Sequence, residues 1–296
     1  MPARLDAPRR GILNSLHFGE PPRTRFLDWI DAIRVELING PDRLRINGAM
    51  REMKQATWAD SVDLAYQRSV TDAAAAHPLP LFAEVPSFTF RVSGISRIIA
   101  QQITRTRLGV TFSMQGTGDQ DCRHRDALVP RYLNRPEKAE RLSSYIHVTL
   151  GAKHEYAQAL DAGESLVGAR YALPQNLAGF IYVHISLLAL QGLVGKRLCT
   201  YETQEYNMVA ELMRSEVRFQ YLPFAAGLVA DCDGPGGCHY MRAKNPAVAG
   251  SMYLPDAKHD VYDWSPEDFV YRQTRDEMLA GPRFVPRSYV GFERVE

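Results

Sequence analysis

The feature that most constrains this chain is one apolar stretch, Pro174 to Gly195, with an arginine on either side of it: Arg170 just before and Arg197 just after. A segment so apolar belongs in a core, where leaving water stabilises it. An arginine at its border, if buried, needs an anion or a carbonyl, because an unpaired buried charge is costly. The two arginines lie 27 positions apart. They mark the ends of the stretch as candidate binding points, unless both are simply exposed. Composition makes placed arginines the route to any anionic partner. With 35 basic and 34 acidic residues the net charge is +1, so bulk attraction to nucleic acid or an anionic membrane is not expected.

The remaining pattern predicts one globular domain over 1–296. The chain is 45% hydrophobic and 23% charged, enough for a sizeable core. Residues 1 to about 23 read as an irregular Pro/Arg-rich arm. Phe26, Trp29, Ile30, Ile33 and Leu37 fall on one helical face, which predicts a helix over Arg25–Asn39, ended by Asn39-Gly40-Pro41. Further helices are predicted over Trp58–Ala76, Ser96–Thr106 and Leu142–Asp161, and Glu202–Leu222 is amphipathic. Phe88–Val92 alternates and reads as a strand. Gly109–Gln120 reads as a loop, residues 231–238 are glycine-rich, and the tail from Asp256 has no assignable pattern. No run of 18 uncharged apolar residues occurs, and Met1–Arg10 lacks the apolar core of a signal peptide. Four cysteines, none in a C-x-x-C pair, form neither a disulfide framework nor a zinc site. A soluble cytoplasmic protein without a metal is therefore expected.

A second polar concentration lies at Gln101-Gln102-Ile103-Thr104-Arg105-Thr106-Arg107, at the end of an apolar helix. Gln102 precedes Arg105 by three residues, so both can share a face. Guanidinium groups are planar, forked donors that suit phosphate or pyrimidine carbonyls. Gly116-Thr117-Gly118 follows, a loop whose backbone can approach a ligand closely. It is too short for a dinucleotide fingerprint and follows no strand in the sequence pattern. A solvated helix end beside a flexible loop is the competing reading.

The order of these segments resembles the flavin-dependent thymidylate synthases (ThyX), over roughly residues 55 to 224. That family carries the signature R-H-R-x-x-S-x-N-x-x-S-x-R after a helix with Gln three residues earlier, itself after a strand reading F-T-F. Here stand Phe88-Thr89-Phe90, Gln102, and Arg105-Thr106-Arg107-Leu108. The family's A-R-x-x-L-P-x-N segment is matched by Arg170, Leu173-Pro174 and Asn176, and its substrate arginine 27 residues on by Arg197. Gln204-Glu205 echoes the start of the helix that follows. The resemblance implies an α+β fold with a small antiparallel sheet flanked by long helices, assembled as a homotetramer with active sites between subunits. Phe180 to Val194 suits such an intersubunit surface, or a core within one subunit.

The resemblance also implies the chemistry: C5-methylation of a uridine nucleotide, UMP or dUMP. Methylenetetrahydrofolate (the 5,10 form) would give the carbon, and FAD, reduced by NADPH, the hydride. Gln102, Arg170 and Arg197 would bind and polarise the nucleotide, the two arginines as the catalytic pair, with Ser113, Gln115, Gly116, Thr117 and Gly118 completing the substrate site. Arg105, Thr106, Arg107, Leu108 and Ser186 would contact FAD. Several positions depart from the family pattern. Thr106 stands for the signature histidine. With one inserted residue, Thr111, Ser113 and Gly116 fall at the S, N and S positions, and Gly118 replaces the final arginine. The upstream histidine-rich stretch is reduced to His77 and Glu84. Such divergence is similar to the branch of the family that methylates UMP as well as dUMP in nucleoside-antibiotic pathways. Two alternatives remain open: a ThyX-like flavin- and nucleotide-binding protein with altered catalysis, and a cysteine-dependent pyrimidine methylase using Cys238-His239. The literal triplet Arg123-His124-Arg125 lacks an apolar helix leading in and reads as a basic surface patch. Cys199, two residues from Arg197, reads as a bystander.

Overall fold

A computed structural model describes residues 21–41, 84, 86–133, 136–198, 202–225, 227–230 and 287–295. The helix predicted over Trp58–Ala76, His77, residues 231–238, the N-terminal arm and most of the tail lie outside the described residues, as do Cys199, Cys232 and Cys238.

Two four-stranded sheets organise the described chain. One is antiparallel, in the order β2 (Arg34–Asn39), β3 (Ser87–Ile95), β6 (Gly179–Ser186) and β4 (Val110–Ser113). The other runs β5 (Ala127–Val129), β1 (Arg23–Asp28), β7 (Arg287–Val290) and β8 (Glu293–Val295), with β1 and β5 parallel. The helices are α1 (Trp29–Ala32), α2 (Arg97–Ile103), α3 (Ala139–Asp161), α4 (Leu166–Ala169), α5 (Leu187–Arg197), α6 (Gln204–Gln220) and α7 (Leu222–Ala225). The fold is α+β with antiparallel-rich sheets, and two sheets stand where one was expected.

The helix predicted over Arg25–Asn39 is not formed. Its apolar residues are spread over β1, the single turn α1, and β2. In β1 alternate residues are buried, ending at Phe26 and Asp28, because Phe26 pairs with Ala127 on one side and Arg287 on the other. Asp28 caps α1 by accepting from the Ile30 N–H at 3.0 Å. That turn sets Trp29, Ile30 and Ile33 at helical spacing, which imitates a longer helix. Part of the loop expected over Gly109–Gln120 is also regular. Val110–Ser113 pairs along β6, Thr111 opposite His184 and Ser113 opposite Tyr182. The Gly116–Gly118 segment therefore does follow a strand.

The strand expected at Phe88–Val92 is the middle of β3. Phe88, Phe90 and Val92 point inward with Ile181, Val183 and Ile185 of β6, all fully buried. They pack with Ile99 and Ile103 of α2, Leu190 and Val194 of α5, and Tyr206, Val209, Met213 and Val217 of α6. Each such side chain stabilises the fold by about 1.5–3 kcal/mol on burial. The apolar stretch read as Phe180 to Val194 thus lies largely in this core, with Tyr182 and His184 on the outer sheet face. At the end of β3 the register shifts between Ser93 and Ile95. Gly94 there has φ +69°, and a Cβ on it would meet the Ala32 carbonyl oxygen at 1.9 Å. No residue with a side chain fits this close approach. Among the described residues no helix is long and apolar enough to cross a membrane.

A second core joins Phe26, Ala127 and Val129 to Leu142, Ile146, Leu150 and Tyr156 of α3 and to Leu173 and Leu177. The literal Arg-His-Arg triplet lies beside it at the surface, with His124 exposed and Arg123 and Arg125 part-exposed, in keeping with the surface-patch reading. Arg123 is ion-paired with Asp121 at 2.8 Å and Asp161 at 3.1 Å, and the His124 Nδ1 accepts from the Arg23 N–H. The Arg125 carbonyl accepts from Lys153 Nζ at 2.5 Å. Lys153 is fully buried, and burial pushes its pKa down from 10.5 to about 8, with Asp126 partly opposing.

The sign of the consequence follows from proton counts. Between about pH 8 and 10.5 the unfolded chain holds a proton at this position that the folded chain has released, so stability rises with pH through that window and is lost as pH falls from 10.5 to 8. We expect Lys153→Met to remove this slope. At pH 7 it should change stability by on the order of +1 to +3 kcal/mol, the shift less the bond to Arg125. Urea titrations of both proteins from pH 7 to 10.5 check this. Parallel pH profiles would show that Lys153 does not titrate in the folded chain.

Candidate functional site

The site is built at the two ends of α2. Its start is fixed from two directions. Ser96 caps the helix, its Oγ accepting from the Ile99 N–H. The Ser96 N–H donates to Glu205 Oε1 at 2.6 Å, and the Ser96 hydroxyl donates to Glu205 Oε2 at 2.9 Å. Burial raises the Glu205 carboxyl pKa, and the two Ser96 donors pull it partly back. The Arg97 N–H donates to the Gln175 carbonyl at 3.1 Å. Glu205 thus ties α6 to α2, and Gln175 ties in the segment carrying Arg170.

The far end of α2 delivers Gln102, Arg105, Thr106 and Arg107. Gln102 is half-buried, and its Oε1 is buried without a hydrogen-bond partner among the described residues. Arg105 and Arg107 are exposed and enter no ion pair among those residues, and Leu108 beside them is 87% exposed. Exposed guanidinium groups beside an exposed leucine fit a cofactor that is part anionic and part aromatic.

Arg197 ends α5, where a cation complements the helix dipole. It is half-buried, pairs with Glu202, and lies over the Tyr206 ring with its guanidinium carbon 4.6 Å from the centroid. Burial works against its charge, but the Glu202 hydrogen bond and charge outweigh this and raise its pKa. The Tyr206 hydroxyl faces Arg197 and Thr106 yet closes no hydrogen bond of normal geometry with either. The structure therefore gathers Thr106, Arg197, Glu202 and Tyr206. Glu202 and Tyr206 were missed from sequence. Their signal is an acid and an aromatic flanking Gln204-Glu205, one helical turn apart.

Arg170 belongs to a second group. In its motif Ala169 and Leu173 are buried while Arg170 and Tyr171 are exposed, the guanidinium 5.9 Å from the Tyr171 ring centroid. Asn176 donates to the Leu128 carbonyl and to Thr149 Oγ1, so this residue of the motif is a tether. Arg170 lies against the Gly116-Thr117-Gly118 loop. A Cβ on Gly118 would sit 3.2 Å from Arg170 Nη1, so glycine lets the guanidinium approach. Thr117 is buried, whereas Ser113 and Gln115 are exposed. The Gly116 N–H is already engaged, donating to Asp119 Oδ2 at 2.8 Å. Ser186 caps α5, its hydroxyl accepting from the Ala189 N–H, and a Cβ on Gly109 would press on that oxygen.

With this geometry in view, the relatives fall into place. A family model described as thymidylate synthase complementing protein matches residues 42–221, more than half of the chain. The chain belongs to this family, the ThyX methyltransferases. A flavin-dependent thymidylate synthase of Nitratidesulfovibrio vulgaris is 29% identical over 168 residues, 55% of this chain and 67% of that protein. Among solved structures, the UMP/dUMP methylase PolB from Streptomyces cacaoi bound with 5-Br dUMP is similar at a TM-score of 0.56 and 18% identity, covering 69% of this chain and 99% of that one. Thymidylate synthase X from Helicobacter pylori with FAD and dUMP gives 0.50 and 15%, covering 66% and 99%. The two likenesses establish the fold.

The double bond from Ser96 to Glu205 generates a stability prediction. Glu205→Ala leaves two buried donors without an acceptor and should cost about 2–3 kcal/mol, whereas Glu205→Gln, which keeps one acceptor, should cost about half as much. Chemical denaturation at neutral pH measures both. An alanine variant as stable as wild type would mean that Ser96 finds its partners elsewhere.

Proposed function

We propose that this chain transfers a one-carbon unit to C5 of a uridine nucleotide, UMP or dUMP, with FAD as its bound redox cofactor. The observation that carries the reading is the Gln102 side-chain oxygen, a buried acceptor with no partner, at the helix end nearest the Thr106–Tyr206–Arg197 group. The uracil edge offers one N–H between two carbonyls. An acceptor at Gln102 and a guanidinium donor at Arg197 match that pattern.

C5 of uracil is a poor nucleophile; addition at C6 would activate it by placing negative charge on the C4 carbonyl oxygen. A half-buried Arg197 donor aimed at such an oxygen stabilises that charge more than water does. Arg170, which lies against the Gly118 loop, would take the phosphate. Asp119 holds the Gly116 N–H, so phosphate recognition falls to Arg170 rather than to a backbone nest. Arg105, Thr106, Arg107 and Leu108 would hold FAD, with Ser186 supporting the adjoining strand end. When bound, FAD reduced by NADPH supplies the hydride, and 5,10-methylenetetrahydrofolate supplies the carbon. As in the family expectation, the working unit is a homotetramer in the cytoplasm, and the extensions belong to the same domain. Binding of flavin and nucleotide without turnover is the second reading, favoured by the replacement of the signature histidine by Thr106.

The protein should bind FAD, seen as flavin absorbance after purification or on titration. In a competition assay with equal UMP and dUMP, reduced flavin and methylenetetrahydrofolate, both methylated products should appear. Flavin uptake without either product would favour the second reading, and no flavin uptake would defeat both. Arg197→Ala should lower turnover on the order of 10²–10³-fold, and Arg170→Ala should chiefly weaken nucleotide binding. Near-normal turnover in Arg197→Ala would remove that residue from the site.

A further inference from the structure

Tyr206 is fully buried in the first turn of α6. Its ring already has a task, carrying the Arg197 guanidinium at 4.6 Å. Its hydroxyl has none. The oxygen is buried and closes no well-formed hydrogen bond among the described residues, although the Arg197 and Thr106 side chains lie within reach of it. A phenylalanine would supply the same ring and the same stack without burying an orphaned hydroxyl. Such a group is disfavoured in a folded chain, and when it occurs it points to a partner that arrives from outside. Here it sits between one residue assigned to the nucleotide, Arg197, and one assigned to the flavin, Thr106.

We propose that the Tyr206 hydroxyl is a binding group of the site, donating a hydrogen bond to an acceptor oxygen of the bound uridine nucleotide. This rests on the nucleotide reading given above. Arg197, one of the groups beside the hydroxyl, is 30% exposed and can turn. A nucleotide that draws Arg197 toward itself uncovers the phenol. Burial raises the phenol pKa above its ordinary value, with Arg197 partly opposing, so the group meets the ligand as a neutral donor. Gln102 offers an acceptor for the ring N–H, and Tyr206 adds a donor for a carbonyl.

The test compares wild type with Tyr206→Phe in three measurements: the thermal midpoint without ligand, the dissociation constants of UMP and dUMP, and that of FAD. The expected result is an unliganded midpoint equal to or above wild type, because an unsatisfied hydroxyl has been removed. Nucleotide binding should weaken on the order of tenfold, with FAD binding unchanged. A variant that loses thermal stability while binding both nucleotides as tightly as wild type overturns the proposal, because the hydroxyl is then structural. The nucleotide reading itself fails on a different outcome. Wild-type protein that binds neither UMP nor dUMP overturns that reading, and this proposal with it.

Discussion

Everything assigned to the site hangs on one carboxylate. Glu205 takes both the backbone N–H and the hydroxyl of Ser96, and so fixes where α2 begins relative to α6. From that anchor a helix of seven residues runs to Ile103. Its rise of about 1.5 Å per residue sets Gln102 and Arg105 at a fixed reach from Tyr206. The bond is charge-assisted and mostly buried, the setting in which a hydrogen bond contributes most and its loss is most costly. Burial that raises the Glu205 pKa is tolerated because both carboxylate oxygens are occupied.

The molecule uses its buried polar groups in two ways. Around α3 several are engaged within the chain: Lys153 on the Arg125 carbonyl, Tyr145 on the Leu128 carbonyl, and Asn176 Nδ2 between Leu128 and Thr149. These bonds stitch the second sheet to its helix. At the other group the bonds stop short. Gln102 Oε1 and the Tyr206 hydroxyl remain open beside arginines that are exposed or half-exposed. Open atoms occur elsewhere, on Thr24, Gln120, His154 and Asn176, but at none of these do cationic donors and an orphaned acceptor converge on one helix end.

Much of this was readable in the sequence where the determinants are local. Ser96 before an apolar run gave the start of α2, Phe88–Val92 the middle of β3, and Leu142–Asp161 most of α3. The helix assigned to Arg25–Asn39 failed for a physical reason. Its pairing partners, Ala127 and Arg287, lie about a hundred and more residues away, and one real turn at Trp29–Ala32 supplied helical spacing in a segment otherwise extended. Val110–Ser113 alternates apolar and polar but spans only four residues beside a Gly/Ser/Thr-rich stretch, too short to stand out as a strand. Arg170 and Arg197 were legible from the apolar stretch between them. Glu202 and Tyr206 were not, since their meaning depends on α6 folding back over the end of α5.

The hold of Glu202 on Arg197 decides whether the arginine can serve a ligand. A fully buried ion pair would resist exchange, since breaking one costs roughly 3–5 kcal/mol. This pair is not fully buried: Arg197 is 30% exposed and Glu202 12%. Exposed pairs contribute about 0–1 kcal/mol, so the interaction lies between these limits. A phosphate or a polarised carbonyl, taken as a bidentate or charge-assisted partner, is worth about 1.5–3 kcal/mol, enough to compete. The Arg197 guanidinium also lies over the Tyr206 ring, a second contact that a change of partner must accommodate. On the proposed reading, Glu202 would act as a stand-in anion, holding the arginine's charge until a nucleotide takes its place at modest cost.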